Sequence, residues 1–161
     1  MTSFPLPLRL LILALSFEIQ AVLAVTTITN VTVDDQDPAI LYSPEDWNTT
    51  EAYNSLDYGG YHHLSGQSSA FAIFNFTGVA IYFLSPLWPY AVGARLVLDG
   101  QIPPVFVDLQ DHSQPVNSTG GAETVSSAVV WGFENLALGN HSLQVEFAQG
   151  QSQYVVVDAF M

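Results

Sequence analysis

Hydrophobic positions recur at every second residue along most of the chain, which is the spacing of a β-strand that buries one face. In the stretch AFAIFNFTG (70–78), Phe74 and Phe76 share one face while Asn75 points to the other. A second alternating run, VAIYFL (79–84), follows directly after a glycine turn. Beyond the N-terminal region no stretch shows convincing helical spacing, so the pattern predicts an all-β protein.

The clearest turn signal is Asp99-Gly100, which separates two strand-like runs in ARLVLDGQIPPVFVDL (94–109). This dipeptide tolerates the positive φ angles of a two-residue hairpin turn. The predicted hairpin directs Leu96 inward and Arg95 outward. Similar runs continue to the C-terminus, and about eight to ten short strands separated by Gly, Pro and Asn indicate a β-sandwich.

The first 24 residues have the order of a secretory signal peptide. A positive charge at Arg9, an apolar run from Leu6 to Leu15 and a small residue at Ala24 follow one another. The apolar run is shorter than the roughly 20 residues that a membrane span needs. We therefore expect residues 1–24 to be removed and the mature chain, without a membrane span, to be secreted, extracellular or associated with the cell wall.

Composition narrows the class of protein and of partner. Residues 25–161 have the usual size of one domain, and we expect them to form a single β-sandwich. The chain has no cysteine, so its stability rests on packing without disulfide bonds. Beyond residue 24 only Arg95 is basic, against 14 acidic residues (15 in the chain, less Glu18). Such a surface repels phosphate backbones and anionic lipids, which argues against nucleic acid and membranes as partners.

Five N-glycosylation sequons occur in the chain, and none has proline at its middle position. Seven asparagines at this Ser and Thr content give about one sequon by chance, so five favour a glycoprotein of the secretory pathway. The predicted acceptors are Asn30, Asn48, Asn75, Asn117 and Asn140.

Seven segments, taken in their order, resemble a known fold family. They are TVDDQDPAILYS, EDWN, GGYHHLSG, FNFTGVAIYF, VLDG, LALGNHSLQV and the terminal VVVDAF. Over residues 28–160 the chain resembles the galactose-binding-domain-like β-sandwich, most of all the secreted or membrane-anchored forms found in basidiomycete fungi. The resemblance implies an antiparallel jelly roll of the kind used by many carbohydrate-binding modules and, more loosely, sugar binding. It departs at Ser85, where such relatives tend to have glycine.

The acidic stretch TVDDQDP places Asp34 and Asp35 after the first predicted strand. In this fold type the first and last strands commonly lie side by side, which would bring these residues near Asp158. An aspartate within an apolar run needs hydrogen-bond donors or a cation. Two interpretations stay open: a structural calcium site at the three aspartates, or a turn whose carboxylates accept backbone N–H bonds. No other cofactor is expected.

Sugar binding by stacking requires exposed aromatic rings beside polar groups. Two polar or proline-containing loops, 43–60 and 85–93, carry rings in or next to them. The alternative is that these rings cap the ends of the hydrophobic core. The candidate ligand-binding residues are Trp88, Tyr90, Trp47, Tyr58 and Tyr61.

No catalytic motif is present: the chain has no nucleophile elbow, no zinc-binding helix signature and no phosphate loop. The four histidines are expected to serve packing or turns rather than ligation. The sequence therefore favours a non-catalytic carbohydrate-binding-like module that binds neutral polysaccharide or glycan at the cell surface or in the extracellular matrix. Two alternatives are a structural or interaction glycoprotein without a small ligand and a small extracellular hydrolase.

Overall fold

The computed structural model describes residues 27–101, 103–118 and 120–161, and the predicted signal peptide lies outside them. All regular structure in these residues is β-strand, which confirms the all-β prediction. No helix among them is long and apolar enough to cross a membrane. The strands are β1 (Val33–Asp34), β2 (Ile40–Tyr42), β3 (Asn48–Thr49), β4 (His63–Ser65), β5 (Phe71–Gly78), β6 (Ile81–Leu87), β7 (Gly93–Leu98), β8 (Val105–Asp108), β9 (Val125–Phe133), β10 (Gly139–Phe147), β11 (Val155–Val157) and β12 (Ala159–Phe160).

The strands form two main antiparallel sheets and a smaller third one. The four-stranded sheet has the order β1-β12-β6-β9, and the five-stranded sheet has the order β2-β5-β10-β7-β8. A short third sheet has the order β11-β4-β3. More strands are present than the eight to ten expected, because six of them have only two or three residues.

The predicted hairpin is β7 and β8, with Leu96 opposite Val105. Asp99 and Gly100 have φ angles of 50° and 69°, as this tight turn requires. Leu96 is buried and Arg95 is exposed, as predicted. The strand prediction for β5 is equally well confirmed, since Phe74 is buried and Asn75 faces solvent.

The hydrophobic core lies between the two main sheets, where aromatic rings from both sheets meet. Phe74 of β5 stacks on Phe160 of β12, with ring centroids 4.9 Å apart. Phe160 also contacts Phe83 of β6 at 5.7 Å. Burying one such side chain stabilises the fold by about 1.5–3 kcal/mol, so this triad ties the final strand firmly to both sheets.

The first and last strands pair with each other, in accordance with the prediction from the sequence. Val33 lies opposite Phe160, and Asp34 lies opposite Ala159. Asp158 therefore sits at the bend between β11 and β12, next to the edge where the loop before β4 crosses the sandwich.

Candidate functional site

Trp88 and Tyr90 are parts of the core, so the expectation of an exposed stacking platform at these two rings does not hold. Trp88 is 2% exposed and Tyr90 is 8% exposed. The segment is paired backbone rather than a projecting loop: Trp88 N donates to Leu109 O at 3.0 Å, and Val92 bridges to Tyr154. Because the chain is extended here, every second side chain points inward and the two rings are covered.

Trp47 also supports the core rather than an open surface. Its Nε1 donates to Phe71 O at 3.1 Å and to Ser43 Oγ at 3.2 Å. Its ring meets Tyr42 edge-on at 5.2 Å. This arrangement matches the alternative interpretation, in which a loop aromatic closes one end of the sandwich.

The tyrosines of the loop that precedes β4 are the most accessible aromatic residues among those predicted. Tyr58 is 40% exposed and Tyr61 is half-buried. Tyr53, which was not among the predicted residues, is 69% exposed and meets Tyr61 edge-on, with ring centroids 6.1 Å apart. We call Tyr53, Tyr58 and Tyr61 the loop tyrosines.

The loop that carries these tyrosines, residues 53–62, is held by its own backbone. Asn54 N donates to Gly60 O at 2.8 Å, and Gly60 N donates to Asp57 O at 3.3 Å. Gly60 has a φ of 95°, and a Cβ atom there would lie 2.2 Å from the Tyr53 ring. Glycine at this position therefore lets the Tyr53 ring lie flat against the loop, which fixes its position before any ligand arrives.

Beneath the loop lies a buried set of three ionisable side chains, Asp57, His62 and Glu123, which we call the buried triad. The side chains are 0%, 5% and 7% exposed, respectively. His62 Nδ1 is 3.1 Å from Asp57 Oδ2 and 3.3 Å from Glu123 Oε1. Among the described residues, this is the one set of three potential metal ligands that converges, with donor atoms within 4.8 Å of one another.

Burial and neighbouring carboxylates together shift the pKa values of His62 and Asp158. Burial alone would lower the pKa of the His62 imidazole, but contact with Asp57 and the negative charge of Glu123 outweigh it, so that pKa is raised. Burial raises the pKa of Asp158 to about 7, and the charge of Asp57 adds to this although Ser127 and Tyr58 donate to the carboxylate.

The three aspartates predicted to hold calcium do not converge as a set. Asp34 and Asp35 each keep one buried oxygen without a hydrogen-bond partner, which suits a cation. Asp158, however, accepts from Tyr58 N at 3.0 Å with one oxygen and from Ser127 Oγ with the other. The donor set fits calcium in part, and the structural calcium site stays a prediction.

Asp34 and Asp35 also show the alternative, structural arrangement. Asp35 Oδ2 lies 2.7 Å from His63 Nδ1. Burial and the charge of Asp35 raise the pKa of Asp34 to about 6. The turn that follows is closed by Asp37 N, which donates to Asp34 O at 3.0 Å. The turn interpretation of this stretch therefore describes its backbone, and the carboxylates form a strained pair of like charges beside it.

All five sequon asparagines are exposed, as a glycan acceptor must be. Asn75 and Asn140 lie on neighbouring strands of the five-stranded sheet, where Asn140 pairs with Thr77 of the other sequon. The Thr77 hydroxyl donates to Asn140 Oδ1 at 2.7 Å. Occupancy of the sequons stays a prediction.

The buried triad and Tyr53 were not predicted from the sequence, for different reasons. The members of the triad come from two loops more than 60 residues apart, and the histidine spacing matches no ligand signature. Tyr53 could have been found, because YNSLDYGGY (53–61) carries three tyrosines in nine residues, with two glycines before the last tyrosine that mark a compact loop.

Comparison with solved structures finds similar β-sandwiches. A family 35 carbohydrate binding module from Clostridium thermocellum has a TM-score of 0.54 and 13% identity, over 83% of this chain and 98% of that chain. An exo-β-1,3-galactanase from Phanerochaete chrysosporium with β-1,3-galactotriose has a TM-score of 0.53 and 19% identity. A Podospora anserina GH26-CBM35 β-(1,4)-mannanase has a TM-score of 0.53 and 14% identity.

The chain matches less than a third of the length of each of the two enzymes. The galactanase match covers 84% of this chain and 29% of that chain, and the mannanase match covers 81% and 26%. No protein-family model matches the chain, and comparison with curated sequences finds no match. At these identities the similarity establishes the fold: the chain is a jelly-roll-like β-sandwich of the kind seen in family 35 carbohydrate-binding modules.

Proposed function

We propose that this chain is a secreted, N-glycosylated and non-catalytic carbohydrate-binding-like module, which binds a neutral polysaccharide or glycan at the cell surface or in the extracellular matrix. The observation that carries this proposal is the set of loop tyrosines on a sandwich of the carbohydrate-binding-module type. Tyrosine rings offer apolar faces to the C–H groups of a sugar and hydroxyls for its polar edge.

The geometry of the loop supports a preformed sugar site. Tyr53 and Tyr61 are nearly perpendicular, at 83°, so the two rings present differently oriented surfaces. The loop backbone is closed by its own hydrogen bonds, and Tyr58 N is anchored on Asp158. A loop that is already ordered loses little conformational entropy on binding, which favours recognition by a small number of contacts.

Charge favours a neutral ligand over an anionic one. The chain has a formal net charge of −13, and Arg95 is the sole Lys or Arg beyond residue 24. Its guanidinium lies 3.3 Å from Glu146 on the outer face of the five-stranded sheet. Residues 53–62 contain no Lys or Arg that could balance the charge of a uronate or a sulfated sugar.

Affinity electrophoresis and pull-down on mannan, β-1,3-galactan, β-glucan and chitin test the proposal. We expect wild type to bind at least one of them, and Tyr53→Ala or Tyr61→Ala to weaken binding by about tenfold, or about 1.4 kcal/mol. Phe133→Ala is the matched control, because it removes a 41% exposed ring at the far end of β9. The proposal would be contradicted if wild type bound none of the four polymers, or if both tyrosine variants bound as tightly as wild type.

A second candidate, an interaction glycoprotein without a small ligand, is favoured by β9. This strand is the edge of the four-stranded sheet and leaves Val129 49% exposed and Phe133 41% exposed. An apolar edge of this kind suits contact with another protein. Binding to no glycan, together with concentration-dependent association that Phe133→Ala abolishes, would favour this candidate instead.

A further inference from the structure

The buried triad differs from an ordinary buried ion pair in its hydrogen bonding. Both carboxylate oxygens of Asp57 and Nδ1 of His62 are buried without a hydrogen-bond partner. The two carboxylate oxygens near Nδ1 lie beside the direction of the ring N–H rather than in line with it. Buried polar atoms are nearly always satisfied in folded proteins, so three such atoms at one place point to a missing partner.

The surroundings of the triad are, by contrast, arranged to orient its members. Asn54 Nδ2 donates to Glu123 Oε2, which leaves Oε1 directed at His62. The His62 backbone N–H donates to Thr50 Oγ1 at 3.2 Å, and its carbonyl accepts from Thr50 N at 3.1 Å. The Trp88 ring meets the imidazole edge-on at 5.5 Å. Outer contacts that fix the orientation of carboxylate and imidazole side chains are typical of metal sites.

A proton on His62 does not balance the charge of this region. Two ionised triad carboxylates carry two negative charges, and their side chains are only 0% and 7% exposed. One imidazolium supplies a single positive charge. Uncompensated charge in a site with almost no solvent contact is costly, whereas a divalent cation neutralises both triad carboxylates and leaves the imidazole neutral.

We propose that Asp57, His62 and Glu123 bind a divalent transition-metal ion, with Zn²⁺ as the best fit to this donor set. One imidazole nitrogen and two carboxylate oxygens are ligands that Zn²⁺ accepts, while calcium prefers oxygen ligands alone. His62 Nδ1 lies 3.1 Å from Asp57 Oδ2 and 3.3 Å from Glu123 Oε1. Two ligand atoms that each form a bond of about 2.1 Å to the same ion are separated by distances of this size.

The site would link two loops that are far apart in sequence. Asp57 and His62 belong to the loop that carries the loop tyrosines, and Glu123 lies directly before β9. The metal ion would therefore fix the position of that loop on the sandwich. Metal binding is a property of the buried residues alone, and it does not depend on whether the proposed glycan function is correct.

The test is direct measurement of Zn²⁺ binding by the full mature chain after chelator treatment. We expect isothermal titration and native mass spectrometry to show one Zn²⁺ per chain, together with a rise in melting temperature. Glu123→Gln keeps a side chain of the same shape, and it should weaken Zn²⁺ binding at least tenfold. His62→Gln should do the same, and circular dichroism reports whether each variant folds.

Two control variants separate this site from surface binding. Glu51→Gln removes one exposed carboxylate from the same loop region, and His112→Gln removes an exposed imidazole that lies 2.8 Å from Asp108. Both should bind Zn²⁺ as wild type does. The proposal is overturned if wild type takes up no stoichiometric Zn²⁺, if Ca²⁺ alone binds, or if Glu123→Gln binds Zn²⁺ with unchanged affinity.

Discussion

His62 and His141 lie in the same chain beside carboxylates, but their surroundings are opposite. His141 places Nδ1 2.7 Å from Asp99 Oδ2 and Nε2 2.8 Å from Ala137 O, so both ring nitrogens have partners. It joins the start of β10 to the β7–β8 turn. His62 is buried between two carboxylates, and neither of them forms an aligned hydrogen bond with it.

The difference separates a structural histidine from a candidate site. Both imidazoles have a raised pKa, and for His141 the Ala137 carbonyl and the Asp99 carboxylate are the cause. A shifted pKa alone therefore does not distinguish the two histidines. What distinguishes them is the hydrogen bonding of the ring. Both ring nitrogens of His141 have partners, which stabilises the fold, whereas the buried Nδ1 of His62 has none and can still bind a ligand.

The largest loss of stability should come from removing the Trp88 ring, which packs against the His62 imidazole. Trp88→Ala deletes a 2% exposed ring between the core and the triad, and we expect it to destabilise the fold by about 3–5 kcal/mol. Urea unfolding followed by circular dichroism measures this change. Phe133→Ala, which deletes an exposed ring, should cost less than about 1 kcal/mol, and an equal cost for both would contradict the burial of Trp88.

The paired substitutions His62→Gln and His141→Gln test the comparison itself. In metal-free protein at neutral pH, His62→Gln removes the only positive partner of two buried carboxylates and should cost about 3 kcal/mol. His141→Gln breaks two hydrogen bonds that water can replace, so it should cost less than His62→Gln. Urea unfolding of both variants gives the difference. A larger cost at His141 would show that the buried carboxylates of the triad are already neutral.

Stability of the metal-free protein should fall as the pH rises from about 5 to 8. The folded-state pKa values of Asp158 and Asp34 are raised from 3.8 to about 7 and about 6, so the folded protein holds these protons more tightly than the unfolded chain. The raised pKa of His62 acts in the same direction. Between pH 5 and its folded-state pKa of about 7, Asp158 alone should remove about 2–3 kcal/mol of stability, since one pKa unit corresponds to about 1.36 kcal/mol.

Two further variants sharpen this pH dependence. Asp99 and Asp111 have lowered pKa values, because they accept hydrogen bonds from Ser142 and Ser113 respectively, so they oppose the trend only in strong acid. Asp158→Asn should flatten the melting temperature between pH 5 and 8, and Asp99→Asn should not, because the lowered pKa of Asp99 lies below this range. A melting temperature of wild type that rises over this range would contradict the charge arrangement described for the triad and Asp158.

The smallest loss of stability is expected at two glycines with positive φ. Gly60 lies in the loop that contains His62, and Gly100 follows Asp99, the partner of His141. Gly100, with φ of 69°, has open space where a Cβ would point, whereas a Cβ at Gly60 would strike the Tyr53 ring. Gly100→Ala should therefore cost about 1 kcal/mol of backbone strain alone. Gly60→Ala adds displacement of Tyr53, and it should lower glycan affinity in affinity electrophoresis as well. Unchanged affinity would separate Tyr53 from the ligand site.

Local patterns in the sequence were sufficient for the strands and for which faces they bury. Alternation placed Phe74 inside and Asn75 outside, and the Asp99-Gly100 dipeptide located the hairpin. The pairing of the first and last strands was also anticipated, through the resemblance to a fold family rather than through the residues alone.

The site was harder to predict because it depends on contacts between distant segments. Prolines around Trp88 suggested a projecting loop, but backbone pairing with Leu109 on one side turned the ring inward. His62 and Glu123 meet only because β4 and the start of β9 lie at the same edge of the sandwich. Side-chain alternation carries no information about such a meeting, since it describes each strand separately.

The pairing of β1 with β12 has a mechanical consequence. The strands are antiparallel, and Val33 opposite Phe160 places the two ends of the domain at the same end of this two-stranded ladder. A tension applied between residues 27 and 161 would load the hydrogen bonds of the ladder one after another rather than together. The domain should therefore begin to open under pulling by peeling β1 away from β12, at low force, while the aromatic core behind Phe160 resists the next step.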